Sequence, residues 1–273
     1  MRMLDKDSVI LFLGGGRITS ALIAGLRLAG DRRRIVVYDR NPGKLQTLRR
    51  QSSIEVVRGL GSALDAADIL ILAVRPASVP QALEEIGDTD GRVPRICISL
   101  AAGIPLSRLK QAQIGNSATQ WARAMPSPVC RIGRGLTAIC FDRGMRLRDK
   151  RTVAGLFSRV GAVIEISEGA FDAFTATYSS SHGYHALAAL SSAARAAGLD
   201  EKTSLIAAAH ALGDAIAYWR ESGLRLDELL HEAATPGGIA AATMSAMDKA
   251  GYKRAVARGL KAGIAQARRN ARG

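Results

Sequence analysis

Seven short runs rich in branched aliphatic residues recur between residues 9 and 166, and helical patterns separate the early ones. They cover residues 9–13, 35–38, 54–57, 69–74, 95–99, 136–141 and 163–166. Amphipathic stretches at 18–28 and 42–50 lie between the first three. A strand that is apolar along its whole length has no face to offer water, so it belongs in a sheet covered on both sides. The alternation therefore predicts an α/β fold, a doubly wound parallel sheet of Rossmann type, over residues 1–166.

Beyond residue 167 the texture changes. Residues 171–197, 201–221, 226–233 and 239–247 carry Ala and Leu at helical spacing, with Gly198, Gly223 and Gly251 as punctuation. No strand-like run remains, so residues 167–273 are expected to form a second, all-helical domain. Two domains suit a chain of 273 residues. Ala-rich helices approach one another closely, and about 100 residues bury little surface alone. A bundle shared between subunits would bury more, which predicts a homodimer or higher homo-oligomer.

Composition narrows the function classes. Hydrophobic residues at 48 % with 23 % charged exclude a disordered chain. No apolar run approaches the roughly 18 residues that a membrane span needs, and the run at 9–13 is too short for a signal-peptide core, so export is not expected. Cys97, Cys130 and Cys140 show no CxxC spacing. That pattern fits buried thiols in a reducing, cytoplasmic setting better than a disulfide framework or a metal site. The net charge of +14 is scattered. Its two clusters are Arg32 to Arg34 and the terminal set Lys253, Arg254, Arg258, Lys261, Arg268, Arg269 and Arg272, and neither is interleaved with aromatics that could stack on bases. Solvated faces are expected there, with no nucleic-acid partner, although a basic surface draws in anionic small molecules.

The first strand runs directly into Gly14-Gly15-Gly16-Arg17-Ile18-Thr19, where a helix begins. Gly14 permits a tight turn, Gly16 lets the backbone approach a pyrophosphate, and the N–H groups opening the helix face the phosphates. Thr19 replaces the third glycine, which predicts looser helix–strand packing. Asp39 closes the second strand and Arg40 follows. An acid there binds the ribose 2′-hydroxyl of NAD, whereas an Arg accepts the 2′-phosphate of NADP. Arg40, helped by Arg17, favours NADPH and Asp39 favours NADH. Arg32 to Arg34 lie at the opposite end of that strand, away from the cofactor.

Four further segments, read in order, resemble the pyrroline-5-carboxylate reductase family: Ala73-Val74-Arg75-Pro76, Ser99-Leu100-Ala101-Ala102-Gly103-Ile104, Arg123-Ala124-Met125-Pro126-Ser127 and Ala234-Thr235-Pro236-Gly237-Gly238. The resemblance runs from Val9 to about Ala262. It implies a Rossmann domain followed by a helical dimerisation domain, with NADPH or NADH as hydride donor and a cyclic imine carboxylate as substrate. It also implies that the glycine turn, with Gly14, Gly15, Gly16, Arg17 and Ile18, lines the cofactor together with Ala73, Val74, Arg75, Pro76 and Ala101, beside the Asp39 and Arg40 read above. Thr235, Gly237 and Gly238, with Met125 and Pro126, would bind substrate. Free N–H groups at a helix opening suit a small carboxylate.

The chain departs from the family pattern mainly on the substrate side. Where an SGSGPAY-like helix start is usual, it reads Tyr178-Ser179-Ser180-Ser181-His182-Gly183-Tyr184, keeping Ser180 and Tyr184. Ile239-Ala240 follows Pro-Gly-Gly where hydroxyl residues are common, Ser127 replaces Asn, and Arg75 replaces Lys. Ser180, His182 and Tyr184 are thus the candidate catalytic groups, with His182 either a proton donor or a hydrogen-bonded interface residue. His185, His210 and His231 fall in helical patterns and read as structural, and no metal is implied. Three functions stay open: reduction of 1-pyrroline-5-carboxylate to proline, reduction of another imine or imino acid, and NADP binding without catalysis.

Overall fold

The computed structural model describes residues 8–52, 54–57, 59–115 and 119–272. Asp5 to Asp7, which precede the first apolar run, and the side chain of Arg272 in the terminal basic cluster lie outside the described residues. Strands β1 (Ile10–Leu13), β2 (Ile35–Tyr38), β3 (Glu55–Val56), β4 (Ile69–Leu72), β5 (Ile96–Ser99), β6 (Gln120–Met125), β7 (Leu136–Phe141) and β8 (Ala162–Glu165) form one sheet in the order 3-2-1-4-5-6-7-8. Helices α1 (Arg17–Leu28), α2 (Pro42–Gln51), α3 (Leu60–Ala66), α4 (Val79–Gly87), α5 (Leu106–Gln111) and α6 (Leu147–Ser158) accompany it. The remaining helices are α7 (Glu168–Thr177), α8 (Ser180–Ala196), α9 (Glu201–Ser222), α10 (Leu226–Ala233), α11 (Ile239–Lys249) and α12 (Tyr252–Arg272).

The central strands are apolar on both faces because helices cover both. Ile10, Phe12, Ile69 and Ile71 belong to one buried cluster, while Leu11, Leu13, Leu70 and Leu72 belong to the other. Strand order reverses between β1 and β4, both parallel to each other and to β2. Chains diverge there to opposite sides and leave a crevice outside the carboxyl ends of the strands, where ligands bind in doubly wound sheets.

The all-parallel expectation needs correcting at β7. That strand pairs antiparallel with β6, and β8 follows it in parallel. The connection from β6 to β7, residues 126–135, holds only the 3-10 helix Pro128–Ile132 and falls short of the dozen or more residues, usually with an α-helix, that a parallel crossover requires. A second correction concerns residues 171–197, expected as one helix. They break at Tyr178, and Ser179 restarts the chain by accepting a hydrogen bond from the Ser181 N–H.

The chain forms two compact units, one of residues up to Tyr178 together with those from Gly263 onward, the other running from Ser179 to Ala262. The first unit thus extends past residue 166. Phe171 of α7 explains why, since it is fully buried in the cluster that contains Leu70, Cys97 and Trp121. Residues from Gly263 onward join it by backbone approach. Gly103 lies against the Ala267 carbonyl, and Arg108 donates to the Ala271 carbonyl at 2.5 Å. The second unit is all helical, from α8 to the first part of α12.

Opposite the crevice, at the amino end of β2, Arg33 and Arg34 of the Arg32 to Arg34 cluster are tied into the scaffold. Arg33 is buried and ion-paired with buried Asp31, which also accepts from Arg159 at 3.0 Å. Arg34 pairs with Glu55 at 2.7 Å. Burial alone would raise the Asp31 carboxyl, but hydrogen bonds and charge from Arg33, with help from Arg159, hold it below the ordinary carboxylate range. In the terminal cluster, Lys253, Arg254, Arg258, Lys261, Arg268 and Arg269 are exposed along α12.

Candidate functional site

Gly14 to Gly16 make the turn from β1 into α1. Gly14 has φ +112°, and a Cβ there would sit 2.7 Å from the Ala73 carbonyl, so no larger residue fits against the end of β4. Its N–H donates to the Tyr38 carbonyl at 2.8 Å, which ties the turn to β2. Gly16 is the extended N-cap of α1, makes no side-chain cap bond, and would project a Cβ into open space. The first N–H groups of α1 therefore lack intrahelical partners beside an open cradle, the arrangement that a pyrophosphate needs.

Thr19 does not loosen this junction as expected. It is fully buried, and its hydroxyl donates to the Gly14 carbonyl at 2.6 Å. The hydrogen bond satisfies a carbonyl at the tightest point of the turn and holds α1 to it.

Asp39 sits across from the turn. One carboxylate oxygen accepts from the Gly15 N–H at 2.8 Å and from Lys44 at 3.4 Å, and the other accepts from the Asn41 N–H at 2.8 Å. Arg40 instead ion-pairs with Glu85 on α4. A cleft of about 460 Å³ opens beside the turn, lined among others by Gly15, Gly16, Arg17, Asn41, Lys44 and Arg131. Ile18 is half-buried in the first turn of α1.

The neighbouring strand ends complete the crevice. Ala73 follows β4 and donates its N–H to the Leu13 carbonyl at 2.8 Å, with Val74, Arg75 and Pro76 next in chain. Ala101 is buried just after β5, where its N–H donates to the Ser99 hydroxyl at 3.3 Å. Met125 ends β6, Pro126 is buried, and Ser127 caps the 3-10 helix by accepting from the Val129 N–H at 3.3 Å. Tyr178 accepts from the Leu136 N–H at 2.6 Å and reaches the Ser127 hydroxyl at 3.4 Å.

In the helical unit, Ser180 opens α8, and His182 and Tyr184 are exposed within its first turns. Thr235 to Gly238 form a tight turn into α11. Gly237 has φ +77°, and the Gly238 N–H donates to the Thr235 carbonyl at 2.9 Å. Gly238 is the N-cap and no side chain caps it, so the N–H groups that follow are available to an anion. Ala240 presents a methyl in that first turn. His210 pairs with Asp214 one turn on at 3.0 Å, while His185 and His231 are exposed on α8 and α10.

The three thiols are buried, and burial pushes the Cys97 thiol up, Cys130 to about 11 and Cys140 to about 12. They are protonated near neutral pH and are poor nucleophiles. Among the described residues, no group of three or more His, Cys, Asp or Glu is placed to hold a metal ion.

A family model described as NADP oxidoreductase, coenzyme F420-dependent, matches residues 9–103, and one described as pyrroline-5-carboxylate reductase dimerisation matches residues 168–270. Pyrroline-5-carboxylate reductase from Corynebacterium melassecola is 28 % identical, over 93 % of this chain and 96 % of the relative. The chain thus resembles the pyrroline-5-carboxylate reductase family along nearly its whole length. The crystal structure of the Streptococcus pyogenes member superposes with a TM-score of 0.86 at 22 % identity, covering 97 % of this chain and 99 % of the other. The Plasmodium falciparum pyrroline carboxylate reductase with NADP bound gives 0.85 at 20 % identity, covering 99 % and 100 %. These superpositions establish the shared fold.

Two cleft-lining cations escaped the sequence reading. Lys44 stands in the first turn of α2 and answers to no motif in the glycine fingerprint. Arg131 lies far along the chain in the 3-10 helix, and only the packing of that helix on α1 brings it to the cleft.

Proposed function

We infer that this chain reduces the C=N bond of 1-pyrroline-5-carboxylate to L-proline with NADPH or NADH. The observation that carries the reading is the open Gly16 cradle between β1 and α1, at the sheet's switch point, in a chain that also carries the family's dimerisation segment. When bound, the reduced nicotinamide supplies a hydride to the C=N carbon while the ring nitrogen ends with a proton.

The chain's own residues bind and align. The N–H groups opening α1 take the pyrophosphate, with Gly14 and Thr19 holding the turn in shape and Ala73 to Pro76 and Ala101 flanking the crevice. The N–H groups around Gly237 and Gly238 hold the substrate carboxylate beside Thr235, and Met125 and Pro126 line the substrate. Aligning two bound reactants lowers a barrier by about 7–11 kcal/mol. A substrate that arrives as an iminium needs little help from a strong acid, so Ser180, His182 and Tyr184 serve to orient it and to exchange a proton. Residues 167–273, which include the helical unit, serve as the dimerisation segment of a homodimer or higher homo-oligomer. Among the described residues no helix is long and apolar enough to cross a membrane. We place the enzyme in the cytoplasm, acting on a small molecule rather than on nucleic acid.

Ala240 favours a second reading, in which a different cyclic imine or imino acid is the substrate, because a methyl replaces a hydroxyl in the first turn of α11. A turnover panel of cyclic imines with NADPH separates the two. Highest kcat/KM on 1-pyrroline-5-carboxylate supports the first reading. Preference for another imine transfers the same chemistry to that substrate, and binding without turnover on any imine leaves a nucleotide-binding protein.

A further inference from the structure

We propose that Lys44 and Arg131, rather than Arg40, read the 2′-phosphate of the cofactor, so that the cleft beside the glycine turn selects NADPH over NADH. The proposal rests on the nucleotide-binding reading above and adds which nucleotide is chosen and by which side chains.

The acid that would select NADH is already engaged. Asp39 is only 11 % exposed, and both its oxygens accept backbone N–H groups, from Gly15 and from Asn41, each at 2.8 Å. It has become a brace between β2 and the glycine turn, with little acceptor capacity left for a ribose 2′-hydroxyl. Its charge also meets Lys44 at 3.4 Å. Arg40 is ion-paired with Glu85 and is not among the side chains lining the cleft. The charge available to a dianion in that cleft comes from Arg17, Lys44 and Arg131, and no carboxylate is among the lining residues.

Arg131 is delivered by a rigid support. The 3-10 helix Pro128–Ile132 is capped by Ser127 and lies so close to α1 that a Cβ on Gly25 would collide with the Cys130 carbonyl. Cys130 itself is buried, so the next residue emerges at a defined place on α1, where the Arg131 guanidinium donates to the Ser20 hydroxyl at 3.0 Å. One turn earlier on that helix is Arg17. Lys44 approaches from the other wall, on a helix whose first N–H groups are already satisfied by Asn41 at 2.9 and 3.3 Å. The α2 terminus therefore offers its side-chain cation rather than backbone donors. A phosphate monoester between the two walls receives charge-assisted hydrogen bonds from both sides, whereas a 2′-hydroxyl gains little from either.

The test titrates the full chain with NADPH, NADH, adenosine 2′,5′-bisphosphate and adenosine 5′-monophosphate, in wild type, Lys44→Met, Arg131→Met, Arg40→Met and Arg32→Met. Wild type is expected to bind NADPH and the bisphosphate at least about tenfold tighter than their counterparts without the 2′-phosphate. Lys44→Met and Arg131→Met should each cost about tenfold in NADPH affinity, the size of one charge-assisted hydrogen bond, and leave NADH within about twofold. Arg32→Met removes the same charge at the far edge of the sheet and should change neither. Equal wild-type affinity for NADPH and NADH overturns the proposal while the nucleotide-binding reading stands. So does loss of selectivity in Arg40→Met with Lys44→Met and Arg131→Met unaffected. Failure of wild type to bind any of the four probes overturns both.

Discussion

The nucleotide unit and the helical unit are built on opposite principles. The first carries two large clusters of buried Leu, Ile, Val and Phe on either face of its sheet. In the second, the buried residues are Ser204 and Ala208, while Leu205, Ile206, Ile216, Tyr218, Trp219, Leu226, Leu230 and Ile239 are exposed large apolar side chains. A run of helices that leaves so much apolar surface in water is half of an interface rather than a finished domain. The difference teaches where each part of the function resides. On the proposed reading the cofactor binds within the α/β unit, whereas the unit that carries the candidate catalytic and carboxylate-holding residues is the one expected to associate.

The largest test of that contrast strikes the scaffold of the first unit alone. Asp31→Asn leaves Arg33 buried with a weakened partner, and it should cost about 3 kcal/mol of stability, read by denaturant unfolding, without changing the oligomeric state. The same pair sets an acid limit. Because the native Asp31 carboxyl is held below its unfolded value, its contribution is present above the unfolded pKa and is lost as pH falls through the lower native one. Stability of the wild type should therefore decline on acidification in that window, and Asp31→Asn should flatten the decline.

Next in size is Gly16→Val. Its Cβ meets nothing in the protein, so the fold should be unaltered while the side chain fills the cradle and NADPH affinity falls about a hundredfold, roughly 2.7 kcal/mol. Unchanged affinity would remove the glycine turn from the binding site. Ile206→Asp tests the other unit and should weaken self-association by about 2 kcal/mol, the value of one buried aliphatic side chain, with nucleotide affinity intact. Sedimentation with a parallel binding titration reads both. The smallest effect is Thr19→Val, which keeps the volume and removes the hydroxyl that serves the Gly14 carbonyl. It should cost about 1 kcal/mol of stability.

Much of this was legible in the residues. Strands β1, β2, β4, β5 and β7 announce themselves because branched aliphatic runs have a single use in a covered sheet, and the glycine turn sits at the end of the first. Strand β6, with the sequence Gln-Trp-Ala-Arg-Ala-Met, has no branched aliphatic residue, and its place is set by pairing with β5 and β7. The break at Tyr178 was hidden because Ser and Ala continue the helical pattern on both sides, and the Ser179 cap reads as one more small polar residue. Thr19 is not legible from bulk alone, because its hydroxyl rather than its size makes the junction. Lys44 and Arg131 reach one cleft from positions far apart in sequence, a proximity that only the packing of the 3-10 helix on α1 creates.

The most direct test of the contrast between the units follows NADPH binding and proline formation from 1-pyrroline-5-carboxylate together, across a dilution series of the full chain, with the oligomeric state measured at each concentration. The account predicts constant NADPH affinity throughout and a loss of proline formed per chain as the oligomer dissociates. Full activity per chain in the dissociated protomer would contradict it, and so would loss of NADPH binding in step with dissociation.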